Sequence, residues 1–265
     1  MTEVRTVCFI GAGNVATHLA VALHRAGYVV NGVFSRQIAH ARDLAAKVEA
    51  PFAVDQLEAL PYSDVYFFCV KDSVLPALID AFVSSTKNPE ALFVHTAGSM
   101  PLALLAESFE NAAVFYPMQT FSKVRNLDFQ EIPVFVEANH PTVLERVTIL
   151  ARKVSSKVSV LSSEKRRKLH LSAVFACNFV NHCYNIAYNL LESEDIDPSC
   201  LLSLTDETAR KIHDVSPHSA QTGPAVRWDE NVMASQFEQL ADFPEMQQVY
   251  RVMSESIHSE FSKIE

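Results

Sequence analysis

Short apolar runs recur through the first half of the chain, at residues 4–10, 29–34, 65–70, 92–95, 113–116 and 133–136. Between the early runs the apolar positions change spacing to that of a helix, over 15–26, 39–48 and 74–83. Strand, helix and strand joined by short connections predict a parallel sheet covered on both faces, because parallel strands need crossovers and the crossover helices must bury an apolar stripe. Too few units are present to close an eight-stranded barrel, so the expectation is an α/β doubly wound sheet of Rossmann type. The pattern changes near Leu161. Residues 162–191 contain no Gly or Pro, open on a Ser-Ser cap followed by Glu164, and carry enough apolar residues to be buried over most of a helix about 40 Å long. Pro198 suits the start of another helix, a loop holds Pro217, Gly223 and Pro224, and helix resumes from about residue 230 with a break near Pro244. The expected organisation is therefore a Rossmann domain over 1–161 and an all-α domain over 162–265.

The first run stops abruptly in VCFIGAGNVATHLAVAL, where Gly11, Gly13 and Ala16 fit G-x-G-x-x-G/A between a strand and a helix. In that motif the first glycine permits a tight turn, the second lets backbone approach a diphosphate, and the third small residue lets helix pack on strand. The helix N-terminus, with Asn14 and Val15 in its opening turn, then offers free N–H groups and a positive dipole end to an anion. The next strand ends VFSRQ. No acid stands at Phe34, Ser35 or Arg36 to take a ribose 2′-hydroxyl, whereas Ser35 and the Arg36 guanidinium suit a 2′-phosphate, so the expected cofactor is NADP. Ligands of open α/β sheets lie beyond the carboxyl ends of the strands. That rule nominates Val70 and Lys71 after the third long run, His95, Thr96 and Gly98 after the fourth, and Gln119 after the fifth, with Gly98 letting the chain pass close to a nicotinamide and His95 or Gln119 touching ribose or substrate.

Composition narrows the partners. The 265 residues are 49% hydrophobic and 20% charged, the balance of a globular protein, and the formal net charge of −9 argues against a nucleic acid as partner. No apolar stretch approaches the ~18 residues of a membrane span. The five cysteines form no C-x-x-C pair and mostly fall inside apolar runs, as buried thiols do in a reducing compartment, so a cytoplasmic protein without a metal centre is expected.

GAGNVA, the VFSR strand end, HTAGS, YPMQTF, HLSAVFACNF and TGPAVRWD occur in an order that resembles the bacterial NADP oxidoreductases with a Rossmann-like N-terminal domain and a helical C-terminal domain of unknown function. In architecture the chain is also similar to pyrroline-carboxylate reductases, ketopantoate reductases and β-hydroxyacid dehydrogenases. The resemblance implies hydride transfer between NADP(H) and a small C=O or C=N substrate, next to the first long helix of the second domain. It implies His170 as proton donor or relay and Asn178 as the residue that orients substrate. Related dehydrogenases use a Lys with an Asn here, but Lys168 points about 160° away from His170 around a helix. Helical spacing places His170, Cys177 and Asn181 on one stripe with Asn178 at its margin, which adds Asn181 as a substrate contact; the same polar groups would also serve a helical or subunit interface. Arg227 in TGPAVRWD could pair with Asp229 or receive a substrate carboxylate, and Asp229 doubles as a helix N-cap. Helical second domains of this kind imply a homodimer. A different reading keeps the glycines and Arg36 but not His170: a non-enzymatic NADP-binding redox sensor that reports to a partner.

Overall fold

The computed structural model describes residues 4–262. Eight strands form one sheet: β1 (Thr6–Ile10), β2 (Val29–Phe34), β3 (Phe52–Val54), β4 (Val65–Phe68), β5 (Leu92–His95), β6 (Ala112–Pro117), β7 (Val134–Ala138) and β8 (Val158–Val160). Their order is β3-β2-β1-β4-β5-β6-β7-β8, with every neighbouring pair parallel except β6 and β7. The doubly wound Rossmann sheet expected from the sequence is thus present, with the chain reversing across the sheet at β1. The three-residue strands β3 and β8 at the two edges are too short to show a period and were not anticipated.

The central strands are buried on both sides, so they read as continuous apolar runs. In β1, Val7 and Phe9 enter one core while Cys8 and Ile10 enter the other. The first core is covered by α1 (Asn14–Arg25), α2 (Ile38–Lys47) and α5 (Pro141–Val154), through residues such as Leu19, Leu44 and Val147. The second is covered by α3 (Leu75–Val83) and the single turn α4 (Ala103–Ala106), with Ile79, Phe82 and Leu105 packed inside.

The long helix expected over 162–191 is not continuous. It begins as α6 (Ser163–Ala173), opens into a π-helical stretch over Val174–Phe179, and returns to α-helix as α7 (Val180–Glu192). Ser162 caps it as anticipated, its hydroxyl accepting from the Lys165 N–H. A π turn closes i→i+5 bonds and holds more residues than an α turn. The 3.6-residue spacing that put His170, Cys177 and Asn181 on one stripe therefore does not apply here. Nor is this helix buried over most of its circumference: Arg166 is the one buried side chain of α6, and Leu171, Phe175 and Phe179 are exposed.

The chain divides into two compact units, Met1–Cys177 and Asn178–Glu265. The sequence places its boundary at Leu161, where composition changes. Compactness carries the first unit further, because α6 is tied to the sheet through Ser163, Arg166 and His170. The second unit holds α7, α8 (Leu202–Lys211), α9 (Pro217–Ala220), α10 (Pro224–Arg227), α11 (Glu230–Glu238) and α12 (Pro244–Phe261). Within it Trp228, at φ 52°, packs its ring on His258 with centroids 4.4 Å apart, fixing α10 against α12. Asp229 caps α11 by accepting from the Val232 N–H, the role its position suggested. Among the described residues no helix is long and apolar enough to cross a membrane.

The thiols depart from expectation. Cys8 and Cys69 are buried, and burial pushes both up to about 12, but Cys177 is half-buried and Cys183 and Cys200 are exposed. The apolar runs around the last three are surface runs of helix rather than core.

Candidate functional site

The turn after β1 is built around Gly11 at φ 115°, a left-handed conformation that glycine adopts without a Cβ clash. Its N–H donates to the Phe34 carbonyl at 2.9 Å, and a Cβ there would lie 2.3 Å from the Cys69 carbonyl oxygen and 3.0 Å from Val70. Gly11 is thus required by the close passage of three neighbouring strand ends. Gly13 differs: it precedes α1 with an ordinary φ of −80°, it is exposed, and a Cβ on it would meet nothing within 4 Å. No side chain caps α1 and no acid stands in its first turn. The opening N–H groups, which have no intrahelical acceptor, face that free space. Ala16 is fully buried where α1 crosses the sheet. An absent side chain at Gly13, an uncapped helix start and a small residue behind it fit a diphosphate.

Beside this cradle, β2 delivers Ser35 and Arg36. Ser35 is half-buried, its N–H bonded to Val54 and its hydroxyl accepting from the Gln37 N–H. Arg36 is exposed, and among the described residues nothing pairs with its guanidinium. On the other side of β1 lie Val70, packed over Gly11, and exposed Lys71, whose carbonyl accepts from the Val74 and Leu75 N–H groups at the start of α3. Gly11, Gly13, Val15, Ser35, Arg36, Val70, Lys71, Thr96 and Gly98 therefore share the carboxyl edge of the parallel strands. Asn14 stands there too, but its amide donates to the Phe121 carbonyl at 2.8 Å, and His18 meets the Ser122 carbonyl at 3.0 Å. Both hold the loop after β6 against the first turns of α1. Gln119 follows β6 on the surface, its side-chain oxygen taken up by the Thr120 N–H.

Two expectations at β5 change. His95 is fully buried, with Nδ1 accepting from the Ala97 N–H at 3.2 Å. Burial and then the Arg166 charge push its pKa down to about 3, against a smaller opposing effect of the Pro101 carbonyl. It is a neutral ring shaping the turn from beneath rather than a group that reaches ribose. Gly98 is indeed a place of close approach, but the visitors are side chains. A Cβ there would meet His170 Nδ1 at 2.6 Å and Tyr116 Cε2 at 2.9 Å.

His170 and Tyr116 form the centre of the edge beyond β5. The Tyr116 hydroxyl lies 3.2 Å from His170 Nδ1, and the two rings meet edge to face. Burial raises the Tyr116 pKa and the Asp72 carboxylate adds to it, with Arg166 opposing, so the phenol keeps its proton. Asp72 in turn accepts from the Ser99 hydroxyl.

Arg166 anchors this arrangement. Fully buried, it pairs with Glu137 of β7 and donates to the Met100 carbonyl. Glu137 also accepts from the N–H and hydroxyl of Ser163, and Ser163 Oγ accepts from the Leu102 N–H. The network fastens the start of α6 to β7 and to the turn after β5, which sets where His170 stands. The sequence does not single out Arg166 or Glu137. Arg166 sits in the run EKRRK with no sign of which charge turns inward, and Tyr116 is read there as part of a strand. Lys168, by contrast, is exposed and pairs with Glu164 one turn away.

Asn178, Asn181 and Arg227 belong to the second unit and are exposed. Gly223, at φ 112°, starts α10 in a conformation that favours glycine.

Residues 6–98 match the family model for the coenzyme F420-dependent NADP oxidoreductases, and residues 132–257 match a domain of unknown function, DUF2520. A Bacteroides fragilis protein whose crystal structure carries the provisional name NADP oxidoreductase is 45% identical, with a TM-score of 0.91 over 96% of this chain and 98% of that one. A reductive aminase from Aspergillus terreus, in complex with NADPH and ethyl levulinate, shares the fold at 16% identity and a TM-score of 0.67, covering 99% and 95% of the two chains. An imine reductase from Myxococcus stipitatus, in complex with NAD+, does so at 17% and 0.59, covering 99% and 94%. No curated protein matches the chain. With nearly the whole length aligned to the Bacteroides protein and the dinucleotide cradle intact, the chain belongs to the NADP-dependent oxidoreductases that join a Rossmann-type domain to a DUF2520 domain.

Proposed function

We propose that this oxidoreductase transfers hydride between NADP(H) and a small C=O or C=N substrate at the carboxyl edge of β5, with His170 as the group that holds and delivers the proton. Bound NADP(H) supplies the hydride. The chain's own residues position and protonate. The opening N–H groups of α1 take the diphosphate beside Gly13, Ser35 and Arg36 take the 2′-phosphate, and Val70, Lys71, Thr96 and Gly98 border the path of the dinucleotide. The carrying observation is the Tyr116–His170 pair seated on Gly98. The Tyr116 hydroxyl occupies Nδ1 and leaves Nε2 to meet a substrate: the imidazolium form gives its Nε2 proton to the substrate oxygen or nitrogen and returns to the neutral ring, which keeps its remaining hydrogen on Nδ1 facing the Tyr116 oxygen. General acid work of this kind is worth about 10²–10⁴ in rate.

The functional division follows: residues 1–161 carry the dinucleotide, and 162–265 supply substrate and dimer contacts. Asn178 and Asn181 orient the substrate, Gln119 borders it, and Arg227 receives an anionic group. Exposed apolar side chains of the second unit, Leu202, Leu204, Val252 and Met253 among them, support a homodimer. Unpaired thiols suit a cytoplasmic setting. The fold shared with a reductive aminase and an imine reductase is the reason for including imines in the assay. The test is oxidation of NADPH with a panel of oxo acids and cyclic imines. The His170→Ala protein should lose turnover while binding NADP as the parent does. Undiminished turnover would remove His170 from the chemistry.

A further inference from the structure

On the same unit, a groove of about 830 Å³ starts at Thr17 and His18, one turn beyond Gly13, runs between α1 and α5, and is closed at one side by the loop before β7. Five cations line it: Arg25 from α1, Lys47 from α2, Lys123 and Arg125 from the loop, and Lys153 from α5. Asp128 is the one acid in the lining, and its carboxylate already accepts from the Gln130 N–H at 3.0 Å. Among the described residues none of the five cations enters an ion pair. Arg25, Lys47 and Lys153 stand in the last turns of their helices, where they also face the partial negative charge of the helix ends. Lys123 and Arg125 have no such neighbour and leave a surplus of positive charge. That surplus is assembled by the fold from four separate segments, in a chain whose net charge is −9. Between the cations the lining is mixed, with apolar Val21, Leu127 and Phe129 beside polar Thr17, Asn126 and Gln130. The volume falls within the ~300–1,000 Å³ of small-ligand sites.

We propose that this groove is a second ligand site, for an organic polyanion: an apolar or aromatic body bearing phosphate or carboxylate groups. The cations grip the anionic groups from both walls, and the apolar lining takes the body. None of the residues of the dinucleotide cradle lines the groove, although Thr17 at its near end donates to the Gly13 carbonyl at 2.9 Å: the two sites adjoin without sharing a residue.

The test is calorimetric titration of the full chain with 1-naphthyl phosphate, with and without saturating NADP, beside inorganic pyrophosphate. The expected result is binding of naphthyl phosphate that is additive with NADP, tighter than that of pyrophosphate, and weakened at least tenfold by K123E/K153E. These two lysines are exposed and, among the described residues, enter no ion pair, and Lys47→Glu alone provides a second variant on another helix. Absence of binding at millimolar concentration would overturn the proposal. So would displacement by NADP, equal or tighter binding of pyrophosphate, or full affinity in both the double variant and Lys47→Glu.

Discussion

The Tyr116 hydroxyl stands 3.2 Å from His170 Nδ1, and both rings rest on the bare backbone of Gly98. The pair joins the last residues of β6 to the second turn of α6, two segments more than fifty residues apart. In the proposed mechanism Tyr116 acts on chemistry only through His170, as a positioning residue. In Tyr116→Phe the ring and its packing survive and one hydrogen bond disappears, freeing His170 to turn. Turnover is expected to fall about tenfold or somewhat more, less than the 10²–10⁴ of losing the acid itself. NADP affinity and melting temperature should stay near the parent's. Steady-state kinetics with a fluorescence titration of NADP checks the split, and an unchanged kcat would show that the hydroxyl does not position the ring.

Gly98→Ala attacks the same pair from below. A Cβ at 2.6 Å from Nδ1 and 2.9 Å from Tyr116 Cε2 forces both rings outward. Overpacking of this kind costs about 1–3 kcal/mol. The expected protein is folded and somewhat less stable, binds NADP, and turns over at a small fraction of the parent rate. Thermal denaturation and NADPH oxidation measured on one preparation separate the two effects.

The two glycines of the cradle should answer the same substitution in opposite ways. Gly11→Ala places a Cβ 2.3 Å from a backbone oxygen at φ 115°, so stability falls, by about 3 kcal/mol or more. Gly13→Ala has open space and an ordinary φ, so stability is expected to hold within about 0.5 kcal/mol while NADP binding weakens strongly. Urea denaturation and NADP titration of both variants make the comparison. Equal loss of stability at the two positions would mean that Gly13 too is structural.

The cradle was legible because its logic is local. Gly11, Gly13 and Ala16 lie within six residues, and the absence of an acid at Ser35 and Arg36 is visible without a fold. The central strands were legible because burial on both faces makes them continuously apolar, whereas β3 and β8 at the edges run three residues each and leave no period. The pairing around His170 was not legible. Tyr116, Asp72, Glu137 and Arg166 reach it from four segments, and nothing in EKRRK marks the one Arg that turns inward. The π turn over Val174–Phe179 was hidden for a related reason: its residues are ordinary helix formers, and the extra residue per turn leaves no compositional trace.

In the proposed reading Arg36 decides between the dinucleotides by charge. Its guanidinium is exposed and unpaired among the described residues, so removing it disturbs no internal contact. A hydrogen bond to a charged group is worth about 1.5–3 kcal/mol, which corresponds to roughly 10–150-fold in affinity. Arg36→Asp is expected to weaken NADP by at least that factor, since it also sets a carboxylate against the 2′-phosphate, and to leave NAD binding within a few-fold. Parallel titrations with NADP and NAD give the ratio, and equal losses for both would overturn the assignment of Arg36 to the phosphate.

His95 makes stability depend on acidity. Its native pKa is pushed down to about 3, first by burial and then by the Arg166 charge, while in the unfolded chain it titrates near 6.5. Between those values the unfolded chain binds a proton that the native ring refuses, so the unfolded state gains as pH falls. The contribution of His95 is fully present above pH 6.5 and is lost by about 1.4 kcal/mol for each pH unit below it, until about pH 3. Carboxylates elsewhere add their own slope, so the informative quantity is a difference. His95→Gln keeps an oxygen that can accept from the Ala97 N–H but has no titrating ring. Urea denaturation of parent and variant at pH 7.5 and pH 5.0 should show the parent losing about 2 kcal/mol more than His95→Gln over that interval. Parallel losses in the two proteins would mean that the buried ring takes up its proton without penalty, and that the turn beneath Gly98 is open to water.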